Sequence, residues 1–126
     1  MFSHVMLGTD DINASKTFYD AALAPLGCSE GRVDPKGRAM YMNGGSIFLL
    51  TNPIDGQPTS NANGSTIGFA AGSPEEADAF HKAGLEAGGT AIEDPPGWRE
   101  GAGMKLYLAY LRDPAGNKIC AMHIGK

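Results

Sequence analysis

Two scarce residue types in this sequence can do acid–base or nucleophilic chemistry near neutral pH: three histidines and two cysteines among 126 residues. His4 stands in the first apolar segment, where an imidazole titrating near working pH can act as a general base or as a hydrogen-bond partner for a substrate. The plainer alternative is a polar side chain satisfied by its neighbours. Cys120 stands in the last apolar segment and reads either as a functional thiol or as a small buried hydrophobe. His4 and Cys120 are therefore the catalytic candidates. His81 falls on a predicted helix, at its surface or edge, and His123 falls on the strand face opposite Cys120. Recognition chemistry is offered by Pro95-Pro96-Gly97-Trp98-Arg99-Glu100-Gly101-Ala102-Gly103, read as a loop whose glycines permit motion. Trp98 and Arg99 there supply an aromatic surface and a fixed cation, suited to an anionic or aromatic ligand. The alternative is a surface loop whose Trp covers a hydrophobic edge. Tyr41, on a predicted third strand, can reach the same cleft.

The bulk properties narrow the field. A chain of 126 residues that is 42% apolar is expected to form one domain with a sufficient core. Its net charge of −4, without a clustered Lys/Arg stripe, excludes a nucleic-acid backbone binder. Cys28 and Cys120 are too few for a disulfide scaffold or a cysteine zinc cluster, and read as free thiols in a reducing compartment. The opening Met1-Phe2-Ser3-His4-Val5-Met6 lacks a secretory pattern, and no apolar run approaches ~18 residues. A cytoplasmic protein without a membrane or nucleic-acid partner is expected. Phosphate loops and nucleophile elbows are missing as well.

These residues must be positioned by a particular order of elements. Residues 2–7 form a strand candidate. Asp11 then caps a helix whose Ser15, Phe18, Tyr19, Ala22, Leu23 and Leu26 share one face, closed by Pro25 and Gly27. Strands are expected over 28–33, 38–42 and 46–51. A polar linker over 52–64 separates two modules, 1–51 and 65–126, of one domain spanning 1–126. The second module begins with a strand over 65–71. Ser73-Pro74-Glu75-Glu76 is a helix start with a capping box, and Gly88-Gly89 ends that helix. A short strand over 90–92, the loop over 93–103, and a hairpin of 105–112 with 117–124 complete the chain. Asp113-Pro114-Ala115-Gly116-Asn117 supplies the hairpin turn, with Pro114 presetting φ and Gly116 accepting a positive φ.

The two halves repeat. Phe18 and Phe80, Ala21 and Ala83, Leu23 and Leu85, and Gly27 and Gly89 are each separated by 62 residues. The same offset sets Val5 on Ile67, Leu7 on Phe69 and His4 on Thr66. Two βαβββ units thus give an α+β fold in which a curved mixed sheet surrounds a cleft. Strand alternation turns Val5, Leu7, Ile67 and Phe69 to the helices and sets His4, Met6, Gly8, Thr66, Gly68 and Ala70 on the cleft. For the last strand, alternation leaves open whether Lys118, Cys120 and Met122 or Ile119, Ala121 and His123 face inward.

The element order, the opening Ser3-His4-Val5, the segment from Phe18 to Gly27 and the tail Asp113-Pro114-Ala115-Gly116-Asn117-Lys118-Ile119 resemble the vicinal oxygen chelate superfamily. That superfamily includes glyoxalase I, bleomycin- and fosfomycin-resistance proteins and extradiol dioxygenases. The resemblance implies a divalent metal held by four side chains, acting as a Lewis acid on paired substrate oxygens. His4 matches the first ligand position. The fourth-strand position falls on Phe48 or Leu49, the fifth-strand position on Thr66, and the eighth-strand position on Cys120, so His4 alone matches a family ligand. The resemblance also places Cys120 inward. In one branch of the superfamily a similar Pro-Gly-x-Arg loop precedes a tyrosine-rich strand, here bearing Tyr107 and Tyr110.

The sequence is thus expected to encode a glyoxalase/bleomycin-resistance-like protein with a degenerate metal site and no cofactor. A small organic molecule would occupy the cleft, against His4, Tyr41, Thr66, Trp98, Arg99, Tyr107, Tyr110 and Cys120. The resemblance further implies a homodimer. The alternatives are a metal-dependent lyase, isomerase or dioxygenase of the same superfamily, and a metal-free enzyme using His4 or Cys120.

Overall fold

A computed structural model describes residues 1–125. Strand β1 (Val5–Gly8) leads into helix α1 (Ile12–Leu23), then β2 (Arg32–Val33), β3 (Ala39–Asn43) and β4 (Ser46–Thr51). Strand β5 (Ile67–Ala70), helix α2 (Pro74–Glu86) and strands β6 (Thr90–Ala91), β7 (Gly97–Gly101), β8 (Met104–Arg112) and β9 (Lys118–Ile124) follow. The strands make two mixed sheets, ordered β1-β4-β3-β2 and β5-β9-β8-β6, with β7 also paired to β8. In each module the first strand runs parallel to the last, β1 with β4 and β5 with β9, and the remaining pairs are antiparallel. No helix among the described residues is long and apolar enough to cross a membrane.

The helix signals act locally as expected. The Asp11 side chain accepts from Ala14 N at 3.1 Å, and Ser73 Oγ accepts from Glu76 N at 3.1 Å. Glu76 reaches back to the Gly72 N–H rather than to that of the capping residue. Gly27 takes a φ of 86° after the short 3₁₀ turn that follows α1, a conformation glycine adopts without a Cβ clash.

Both helices bury their apolar stripes against the sheets and pack on each other, giving one shared core. Phe18, Tyr19 and Ala22 of α1 and Ala77 and Phe80 of α2 are completely buried. A chain of aromatic contacts crosses between the modules: Tyr19 to Phe48 at 4.9 Å, Phe48 to Phe69 at 5.1 Å and Phe69 to Phe80 at 6.4 Å. Edge and tilted geometries dominate, as the ring quadrupoles favour.

A second bridge between the modules is polar. The Asp113 carboxylate accepts from the backbone N–H groups of Ala115 and Asn117 at 3.0 and 2.8 Å, closing the β8–β9 turn. Its other oxygen accepts from Tyr19 OH of α1 at 2.6 Å, and Asn117 Nδ2 donates to Gly8 O of β1 at 2.9 Å. The turn therefore fastens the second module to the first.

Three expectations need correction. The strand expected over 28–33 is confined to Arg32–Val33. The one expected over 65–71 is confined to Ile67–Ala70. The loop expected over 93–103 contains β7, whose residues 97–101 pair with Leu108 to Met104. Its glycines and flanking prolines disguised it, because main-chain pairing to a long neighbour outweighs weak strand propensity. Ala102 and Gly103, with φ of 51° and 75°, make the tight two-residue turn into β8.

Candidate functional site

Alternation along the strands, anchored by the core, decides which side chains look away from the helices. Leu7, Phe48, Leu50, Ile119 and Ala121 belong to the core. Their neighbours Met6, Leu49, Cys120 and Met122 therefore occupy the opposite, open faces of the two sheets. This resolves the last strand in favour of Cys120 on the open face. It also identifies Leu49, not Phe48, as the fourth-strand residue beside that face.

A cavity lies at the seam between the modules, with a volume of about 330 Å³. It is bounded by the start of β1, the start of β4, strand β5 and the turn after α1. Val5, Leu23, Leu26, Phe48, Ile67 and Phe69 form apolar walls, and Ser3, His4, Asn43 and Ser46 stand at polar positions around it. Strands β1 and β5, edge strands of separate sheets, both border the cavity. Each lends the cavity an edge that no other strand covers.

His4 is exposed, and its Nδ1 lies 2.8 Å from Ser3 Oγ. Gly68 and Ala70 join it in the cavity lining, but Met6 and Gly8, which alternation set on the same cleft, do not, whereas Val5, Ile67 and Phe69, set toward the helices, do. Thr66, the repeat partner of His4, is exposed but does not line the cavity.

Tyr41 also touches the cavity, but not as a free recognition group. It points toward α1, is 2% exposed, and its hydroxyl donates to Asp20 Oδ1 at 2.8 Å while lying 3.2 Å from Lys16 O. Burial is the first cause that holds this phenol protonated, and the Asp20 hydrogen bond and charge reinforce it.

Trp98 and Arg99 were expected to act together, and β7 separates them. Consecutive strand residues face opposite ways. Trp98 joins Tyr107 and His123 on the helix side of the second sheet, with ring distances of 5.4 and 6.3 Å. Tyr107 OH donates to Asp78 of α2 at 2.6 Å, and His123 Nδ1 lies 3.1 Å from Ala71 O. Arg99 lies on the other side, where its guanidinium donates to the carbonyls of Gly97, Leu108, Asp94 and Pro95 at 2.9–3.1 Å. It organises the turn before β7 instead of presenting a free cation.

Tyr110 and Cys120 are cross-strand partners on the open face of the second sheet, away from the cavity. Arg99 and Lys118 approach the Tyr110 ring at 5.7 and 5.0 Å, and Lys118 is ion-paired with Glu93. The Cys120 Sγ lies beside Gly68, 3.4 Å from where a Cβ on that residue would stand. Burial pushes the Cys120 thiol up to about 11, only partly opposed by Lys118. At neutral pH it is a thiol, not the nucleophilic thiolate.

The four positions implied for a metal thus carry exposed His4, apolar Leu49, exposed Thr66 and protonated, buried Cys120. Among the described residues, no group of three His, Cys, Asp or Glu side chains is placed to hold a metal ion. A catalytic divalent site ordinarily needs about three protein ligands.

Sequence reasoning missed Cys28, Leu23 and Leu26 as cavity residues. The two leucines carried only a core-periodicity signal, and Cys28 sat in a segment read as strand.

The sequence pattern of the Glyoxalase/Bleomycin resistance protein/Dioxygenase superfamily matches residues 1–121. No curated protein matches the chain. Among solved structures, a glyoxalase/bleomycin resistance protein from Albidiferax ferrireducens T118 is 58% identical, with 98% of each chain covered and a TM-score of 0.94. A glyoxalase/bleomycin resistance protein/dioxygenase family enzyme from Burkholderia phytofirmans PsJN shares the fold at 22% identity, 98% coverage of each chain and a TM-score of 0.73.

Proposed function

The chain belongs to the Glyoxalase/Bleomycin resistance protein/Dioxygenase superfamily, and from that premise we propose that it binds a small organic molecule in the seam cavity without the divalent metal its resemblance implied. The observation that carries this reading is the cavity itself: a volume of about 330 Å³, apolar walls, and His4 at a polar position in its lining. Such a volume lies at the lower end of ordinary small-molecule sites, which combine apolar walls with a few polar groups. Removing apolar ligand surface from water there supplies affinity at roughly 25 cal/mol per Å² before the cost of association. Ser3, His4 and Asn43 can orient a polar substituent.

The residues at the implied metal positions do not fit the metal, so no chemical step is routed through one. Leucine at position 49 offers no donor atom, Thr66 is a weak ligand, and Cys120 must lose a proton that burial makes costly. Elemental analysis of protein purified in the presence of divalent metals tests this part. The expected result is sub-stoichiometric metal, unchanged in His4→Ala. Tightly held stoichiometric metal that His4→Ala releases would overturn it and favour the lyase, isomerase or dioxygenase alternative. A thermal-shift screen of small organic molecules tests binding itself.

A second copy of the chain is the proposed cover for the open sheet faces. Met6, Met42 and Ile124 stand on those faces 37%, 62% and 51% exposed. The repeated modules give one chain two related faces, which a homodimer can bring together. Sedimentation equilibrium is expected to give twice the 13.1 kDa chain mass. A monomer at high micromolar concentration would refute the dimer. Two free thiols remain in keeping with a reducing, cytoplasmic setting.

A further inference from the structure

We infer that the seam cavity selects an uncharged, mainly apolar molecule about the size of two fused aromatic rings, with one neutral polar substituent, and discriminates against the equivalent anion. This rests on the reading of the cavity as the ligand site and names the class of molecule it takes.

Charge is the first argument. Among the described residues, the lining contains no Lys, Arg, Asp or Glu. An ion placed there would lose hydration without gaining a counter-ion, at a cost of several kcal/mol. The acid groups in the wall do not alter this balance. Cys28 is held in its neutral form, burial being the main cause and Asp20 the lesser one. Tyr41 is likewise protonated, with its hydroxyl occupied by Asp20. Asp20 is itself taken up by Lys16, the Gly31 N–H and Tyr41.

The cations first expected to greet an anionic ligand are committed elsewhere. Arg99 spends its guanidinium on four backbone carbonyls, and Lys118 is paired with Glu93. Neither lines the cavity. His4 is the lining residue able to carry positive charge, but it is exposed and adjoins Ser3, so water competes for any charge it offers.

Size is the second argument. An engineered apolar cavity of about 150 Å³ holds benzene, and this one is about 330 Å³. Two fused rings fit within that volume, and the polar positions at Ser3, His4 and Asn43 suit a hydroxyl or carbonyl rather than a second apolar group.

The full chain can be titrated at pH 7 with 2-naphthol and with 2-naphthoate, which share a ring system and differ in charge. Fluorescence titration is expected to show saturable 2-naphthol binding at least about tenfold tighter than 2-naphthoate, in proportion to the desolvation cost. Cys28→Phe, which drives a ring into the cavity, is expected to weaken 2-naphthol by about tenfold or more. Should that variant fold poorly, a second measurement uses the unmodified chain. Saturating 2-naphthol is expected to slow iodoacetamide alkylation of Cys28, read by peptide mass spectrometry, while 2-naphthoate does not. Equal or tighter 2-naphthoate binding, with Cys28 protected, would overturn the charge selectivity and leave the cavity as a ligand site. If neither compound binds or protects Cys28, the cavity reading falls and the inference with it.

Discussion

Asp113→Ala is expected to lower the unfolding free energy by about 3–5 kcal/mol, enough to consume much of a small domain's stability. The carboxylate is 3% exposed and serves four donors at once. Two of those bonds close the turn, one fixes the Asn117 side chain, and one reaches Tyr19, 94 residues away in sequence. Hydrogen bonds to charged groups contribute about 1.5–3 kcal/mol each, and a buried donor left without an acceptor adds its own desolvation cost. The Tyr19 hydroxyl would be such a donor, because that side chain is completely buried. Burial first, and then the Asp113 charge and hydrogen bond, raise its pKa well above the phenol's ordinary value, so loss of the acceptor would not be relieved by ionisation. Urea unfolding of Asp113→Ala, Tyr19→Phe and the double variant measures the coupling directly, expected at about 1–3 kcal/mol. A loss below about 1 kcal/mol in Asp113→Ala would show that the turn is not a clamp.

Phe48→Ala is expected to cost about 3–5 kcal/mol, the range for truncating a buried aromatic side chain. Phe48 touches Tyr19, Tyr41 and Phe69 with ring distances of 4.9, 5.9 and 5.1 Å, and so joins the two modules through their shared core. Its side chain is also part of the cavity wall. Truncation should therefore do two things, destabilising the fold and enlarging the cavity. Phe48→Leu retains most of the apolar volume and should cost less than about 1.5 kcal/mol. Thermal and urea unfolding of both variants separates the effects. Equal losses in the two would mean that ring-to-ring contact, rather than filled volume, holds the modules together.

Much of the fold was legible because its signals are local. Asp11 and Ser73 announce helix starts by side-chain chemistry, and the periodicity of Phe18, Tyr19 and Ala22 announces the buried stripe of α1. The repeat at 62 residues, together with the tail from Asp113 to Ile119, carried the family resemblance. Alternation placed Val5, Leu7, Ile67 and Phe69 correctly toward the helices.

The candidate site was less legible because it depends on partners distant in sequence. Trp98 and Arg99 look like a recognition pair until β7 pairs with β8 and turns them to opposite faces. Tyr41 looks available until α1 packs over it and Asp20 takes its hydroxyl. Gly89 reads as a helix terminator, yet a Cβ there would come within 2.6 Å of Phe18 and 2.9 Å of Gly84 O, so packing space also requires glycine.

The sequence by itself determined the two helices, most of the strands and the side-chain chemistry at the implied metal positions, since helix caps, periodicity and residue identity are properties of short stretches. Only the tertiary structure decided which face Cys120 occupies, what the Arg99 cation is spent on, and where the cavity opens. Those outcomes follow from strand register and from the packing of one module against the other. Both are set by contacts between residues far apart in the chain, which no local pattern encodes.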